Sequence, residues 1–186
     1  MRGNQLMAGL VLAMLVTAGC SQNEPEQPAP VEQVVQPVEQ PDNDDAERER
    51  LERERLERER LARERAERER AREVLTMTIH FDYDESAIEG QAQDRMVQKA
   101  SVLRTYDDVA LRIEGHADER GSIEYNLALG LRRANAAKDF LTNYGLSASR
   151  FETVSFGEER PAARGSSESA WSQNRRAEFV VLRGLQ

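Results

Sequence analysis

With one cysteine in 186 residues, Cys20, the chain can form no internal disulfide. Lysine is nearly missing too: Lys99 and Lys138 stand alone, and every other base is an arginine. Aromatic residues make up 5% and there is a single tryptophan. Proline is almost confined to residues 21–45, which hold five of the six. No apolar run reaches the ~20 residues needed to cross a bilayer as a helix. The chain carries no G-x-S-x-G, no HExxH and no glycine-rich phosphate loop, so the common hydrolase, metalloprotease and nucleotide signatures are missing. The net charge is −8, with bases interleaved among acids rather than gathered in a patch, which argues against a nucleic-acid partner. The residues point to no catalytic constellation, no cofactor and no metal centre, and so to a protein that is not an enzyme.

What is present falls into four parts. Residues 1–19 begin with Arg2 and an apolar run, LMAGLVLAMLV, which fits the core of a secretory signal. Thr17-Ala18-Gly19 then lead into Cys20, an arrangement that resembles a bacterial lipobox: cleavage before Cys20 and acylation of its thiol, with palmitate-type chains, are expected. At ~0.8 kcal/mol per buried CH₂, several chains would hold the protein on a membrane nearly permanently. Ser21 after the cysteine suits export to the periplasmic side of a Gram-negative outer membrane. From the lipidated cysteine through residue 46 the sequence is rich in Pro, Glu and Gln and has no aromatic residue. It buries too little apolar surface to offset its ordering entropy and is expected to be a disordered linker.

Residues 47–73 repeat with a period of five, Leu51, Leu56, Leu61, Ala66 and Ala71 taking the apolar slot. Five residues advance about 500° around a helix, so successive leucines rotate by about 140° and never line up as a coiled-coil seam. Glu49 and Arg53, Glu54 and Arg58, and Glu59 and Arg63 pair at i,i+4 in the favoured direction, each pair stabilising a helix by about 0.2–0.5 kcal/mol. A single, water-exposed charged helix acting as a stiff spacer is predicted.

Residues 74–186 differ in kind, with alternation and amphipathic periods that predict a folded domain. Strands are expected at 74–81, 109–116, 151–157 and 175–183, and helices at 88–104 and from a Ser122 cap to Asn143, closed by Gly145. The order β-α-β-α-β-loop-β implies an α/β (α+β) two-layer sandwich, helices on one face of a mixed four-stranded sheet.

The stretches IEGHADERGSIEYNLALGLRRANA, SFGEERP and SQNRRAEFVV closely resemble the OmpA-like peptidoglycan-binding domain family, in particular its lipid-anchored branch, the peptidoglycan-associated lipoproteins. That resemblance implies an outer-membrane lipoprotein that grips peptidoglycan without covalent bonds through the diaminopimelate of the stem peptide. It also implies a place in the Tol-Pal system of envelope integrity and cell division, with TolB and other Tol proteins as partners. The alternatives are a similar lipoprotein serving a motor, a secretion machine or a sensor, or a peptidoglycan-processing enzyme.

The candidate ligand residues follow from spacing and resemblance together. Asp118 stands after a strand, and Asn126, Leu129 and Arg133 share one face of the next helix. A carboxylate and a guanidinium a few ångströms apart, not bonded to each other, match a free amine and carboxylate on one ligand. By spacing alone, an internal salt bridge between Asp118 and Arg133 is the better reading. The resemblance assigns both to the diaminopimelate end and places Phe81, Asp82 and Arg176 near it. Removing either charge is expected to abolish wall binding with little change in melting. His116, with His80 and Glu114, offers a possible metal set, but reads better as a histidine bonding the turn. Trp171, Tyr125, Tyr144, Phe140 and Phe151 read as packing residues.

Overall fold

The computed structural model describes residues 43–185. The signal expected at 1–19, Cys20 and the linker expected after it, as far as residue 42, lie outside them. Among the described residues, no helix is long and apolar enough to cross a membrane.

Helix α1 runs Asn43–Thr76, longer at both ends than the charge repeat predicts. Asp44 and Asp45, assigned to the linker from sequence, enter its first turn, where carboxylates suit the helix dipole. At the far end, residues 74–76 complete the helix instead of opening a strand. Ala71 and Leu75, four apart, both turn into the domain core, and that packing outweighs the β-branched alternation that follows. The spacer is therefore solitary only along its length: its last turn belongs to the domain. Over 34 residues it extends about 51 Å. Leu51, Leu56 and Leu61 are all exposed, as the five-residue period requires.

What remains of the predicted first strand is β1, Ile79–His80. Then come α2 (Gly90–Thr105), β2 (Ala110–His116), α3 (Ile123–Asn143), a 3-10 turn at Ala148–Arg150, β3 (Phe151–Gly157), α4 (Glu168–Asn174) and β4 (Arg176–Arg183). Ser122 caps α3 as expected, its Oγ accepting from the Tyr125 amide at 3.2 Å. The short α4 was read as loop: its serine-rich sequence has too few apolar residues to show a period, though Ser167 caps it.

The sheet is mixed, in the order β1-β4-β2-β3, with only β2 and β3 parallel and α3 as their crossover. Its inner face, carrying Ile79, Leu111, Ile113, Phe151, Ala177 and Phe179, packs under α2, α3 and the end of α1. Helix α3 crosses the sheet where both backbones are bare: an added Cβ on Gly115 would overlap the Gly130 carbonyl, and one on Gly130 would lie 2.8 Å from the Gly115 carbonyl oxygen. This close approach brings the first half of α3 over the mouth of β2.

Two cations, one buried and one half-buried, stitch these parts through main-chain carbonyls. Lys99, fully buried, donates to the carbonyls of Val74 at 2.9 Å and Leu75 at 2.7 Å, with its Nζ 4.1 Å from the centre of the Phe179 ring. Arg150 donates to the carbonyls of Val109, Leu103 and Tyr106 at 2.7–2.9 Å. Tyr125, expected in the core, is exposed on α3, its hydroxyl bonded to the Asp84 carboxylate.

Candidate functional site

Asp118 lies two residues beyond the end of β2 and is buried, yet it is not paired with Arg133. Its carboxylate accepts from Arg120 Nη2 at 2.7 Å and Nε at 3.1 Å, and from Arg175 Nη1 at 3.4 Å. The Arg120 amide also donates to it, at 3.1 Å. The Arg120 guanidinium lies between two aromatic rings, 4.0 Å from the centre of Tyr83 and 4.1 Å from that of Trp171. Trp171, in turn, donates from Nε1 to Glu119 at 3.1 Å, and Arg175 donates to Glu168 at 2.6 Å. Burial pushes the Asp118 carboxyl up, but the hydrogen bonds and charge of Arg120, with help from Arg175, outweigh it and hold the group below the ordinary aspartate range.

Arg133 is fully buried on α3. It donates to the carbonyls of His116 at 2.7 Å, Glu85 at 2.8 Å and Asp82 at 3.0 Å, and lies 5.2 Å from the centre of the Phe81 ring. Three of its five N–H groups are used this way, none of them on a carboxylate. Burial draws its pKa down to about 10, while the charge of Asp118 works the other way, so it stays a cation. The two charges expected to stand open are thus both engaged. Arg133 pins residues 82–85 over the end of β2, and Asp118 is held by two arginines.

Most of the other expected residues gather nearby. Phe81 is buried; its amide donates to the Arg175 carbonyl at 2.9 Å, and its own carbonyl accepts from Arg175 Nε at 3.1 Å. Asn126 is buried and donates to Glu158 at 2.5 Å, and Leu129 is buried beside it on α3. Asp118, Arg120, Tyr83, Asp84, Asn126 and Leu129 line a cleft of about 180 Å³. A second cleft of about 450 Å³ lies on the other side of residues 82–85, lined by Phe81, Asp82, Glu85, Glu89 and Arg95 among others.

Arg176 is the exception. It turns to Glu178 at 2.5 Å and to the Arg160 carbonyl at 3.0 Å, and its neighbour Arg175 reaches Asp118 instead. The pattern Asn174-Arg175-Arg176 could not tell the two arginines apart, because the strand's first residue fixes which one turns inward. Arg120, Tyr83 and Trp171 were also missed as a unit, since they come from three separate segments. His116 is not the turn-bonding histidine expected: its ring stacks on Phe156 with centroids 5.6 Å apart, and neither nitrogen has a hydrogen-bond partner.

An OmpA family model matches residues 80–175. The chain is 54% identical over 99 residues to the peptidoglycan-associated lipoprotein of Mesorhizobium japonicum, covering 53% of this chain and 59% of that protein. It is 50% identical over 103 residues to the protein of the same name from Agrobacterium fabrum, covering 55% and 58%. The chain thus spans about three fifths of the length of these curated relatives. Among solved structures, the peptidoglycan-associated lipoprotein from Burkholderia pseudomallei aligns with a TM-score of 0.54 and 40% identity, over 56% of this chain and 88% of that one. The C-terminal domain of Helicobacter pylori MotB has a TM-score of 0.53 at 19% identity, over 57% and 84%, and so shares the fold. By the match to the family model and the mixed four-stranded sheet that carries it, the chain belongs to the OmpA family.

Proposed function

We propose that this chain is a lipid-anchored envelope protein that holds peptidoglycan non-covalently, taking the diaminopimelate end of a stem peptide at the mouth of β2. The observation that carries the reading is the charge layout there: a buried aspartate ringed by Arg120 and Arg175, next to the buried Arg133. Diaminopimelate ends in an amine and a carboxylate on one carbon, and such a ligand needs both signs of charge within a few ångströms. The names of the relatives support the same reading. Acylation of Cys20 would fix the chain to the outer membrane, and α1 with the preceding linker would set the reach to the wall.

The grip of one copy is modest. A hydrogen bond to a charged group nets about 1.5–3 kcal/mol, and a few of them less ordering costs give micromolar to millimolar affinity. Many copies on one membrane against one polymer then supply firm, reversible attachment. This is binding without chemistry, and a role in the Tol-Pal system with TolB as partner is part of the same proposal.

The test is sedimentation of the full chain with purified peptidoglycan sacculi, with and without free diaminopimelate as competitor. Wild type should sediment with the wall and be released by the competitor, while Asp118→Asn should remain in the supernatant. Equal sedimentation of both proteins would refute the site.

A further inference from the structure

The outer face of the sheet, away from the helices, carries a second cluster of ionisable groups. Glu114 on β2 and Glu178 on β4 are direct cross-strand partners, and His116 lies two residues along β2 on the same face. We propose that Glu114, His116 and Glu178 form a binding site for a divalent cation of the zinc type, separate from the Asp118 site.

Three independent observations support it. The donor atoms of the three side chains lie within 4.8 Å of one another, close enough to converge on one ion with small side-chain movements. The set, one imidazole and two carboxylates, is a ligand chemistry zinc accepts, leaving a fourth position for water. Most telling is the state of His116. It is 1% exposed, and both ring nitrogens are buried with no hydrogen-bond partner. A buried polar group left so is costly and uncommon, and an ion between the ring and the carboxylates would satisfy one of its two nitrogens. A cation would also relieve the repulsion of two carboxylates placed directly opposite on neighbouring strands.

The imidazole is ready for that role. The ring is closed off from water and bonds to no neighbour, so its nitrogen lone pair is open to an ion. Two cations also face this corner. Arg176 bonds one oxygen of Glu178 at 2.5 Å, leaving the other for an ion, and Arg160 lies over the Phe156 ring. They cancel much of the carboxylate charge, so affinity would come from coordination rather than from a strong field.

The test uses the full chain, stripped with EDTA and titrated with zinc chloride by calorimetry, alongside thermal melting. One tight ion per chain and a raised melting temperature are expected, on top of any loose uptake by the glutamates of α1. Glu114→Gln and Glu178→Gln keep shape and should each weaken the tight site by at least about tenfold. His116→Gln should remove it; the two glutamate variants decide the matter if that buried change misfolds. Absence of a saturable one-to-one site, or tight binding unchanged in both glutamate variants, would overturn the assignment. None of these side chains belongs to the proposed wall site, so sacculus binding should survive in the glutamate variants.

Discussion

Lys99 donates from its buried ammonium to the carbonyl of Leu75 at 2.7 Å, clasping the last turn of α1 to the domain. Burial, then the charge of Arg95, lowers its pKa from 10.5 to about 7. Between those two values the unfolded chain keeps the proton and the folded chain releases it, so Lys99 makes stability rise with pH across that window. Below about pH 7 both states are protonated and this contribution is at its lowest. In thermal melts, the difference between wild type and Lys99→Met should therefore move in favour of wild type from about pH 7 to about pH 10. A difference that stays flat would show that the lysine does not change its charge there.

Asp118 acts with the same sign in the acid range. Its depressed pKa gives stability that is present above the unfolded value and is lost as pH falls through the folded one. Arg120→Gln removes the leading hydrogen bonds that lower it. An NMR titration should find the Asp118 carboxyl raised in that variant, and the acid limb of the melting profile should move to higher pH. An unchanged titration would mean that Arg175 alone is enough.

Arg133→Ala should not be the quiet substitution the sequence suggests. Three main-chain carbonyls lose their donor, and the one on His116 is fully buried. Urea unfolding should show a loss of at least about 2 kcal/mol. Loss of wall binding in that variant would then mix two causes, which is why Asp118→Asn is the cleaner probe.

Gly115→Ala and Gly145→Ala separate two roles of glycine. At Gly115 a methyl group meets the backbone of α3, and the helix has to lift from the sheet, at a cost of more than about 3 kcal/mol. Gly145 has open space around it but a φ of +86°, so alanine there costs about 1–2 kcal/mol of backbone strain. Denaturant midpoints of the two variants should fall in that order.

An isolated peptide of residues 47–73 should be helical at low ionic strength and lose helix in high salt. Its ion pairs, such as Glu49 with Arg53 at 3.4 Å and Glu54 with Arg58 at 3.5 Å, are exposed and open to screening. A coil spectrum at low salt would show that α1 depends on the domain for its structure.

Particular residues show where reading the chain stops. The strands β2, β3 and β4 were legible to within one residue, because their inner face alternates with polar positions over seven or eight residues. Residues 74–81 alternate just as well, yet Leu75 and Ala71 gain more by packing as a helix, a tertiary choice no local pattern records. The neighbourhood of Asp118 could be named, but its partners could not. Arg120 is two residues away and Arg175 is 57, and nothing in their spacing says that both reach one carboxylate. His116 was misjudged because a turn offers many acceptors to an imidazole, and only coordinates show that its ring uses none of them.

The leucines of α1 wind around its axis instead of running down one side. Neighbouring copies crowded on a surface therefore meet charge at nearly every angle of approach and have no greasy strip along which to zip together. On the anchor proposed above, each molecule would bear load on its own, and a dense layer of them would behave as separate springs rather than a sheet.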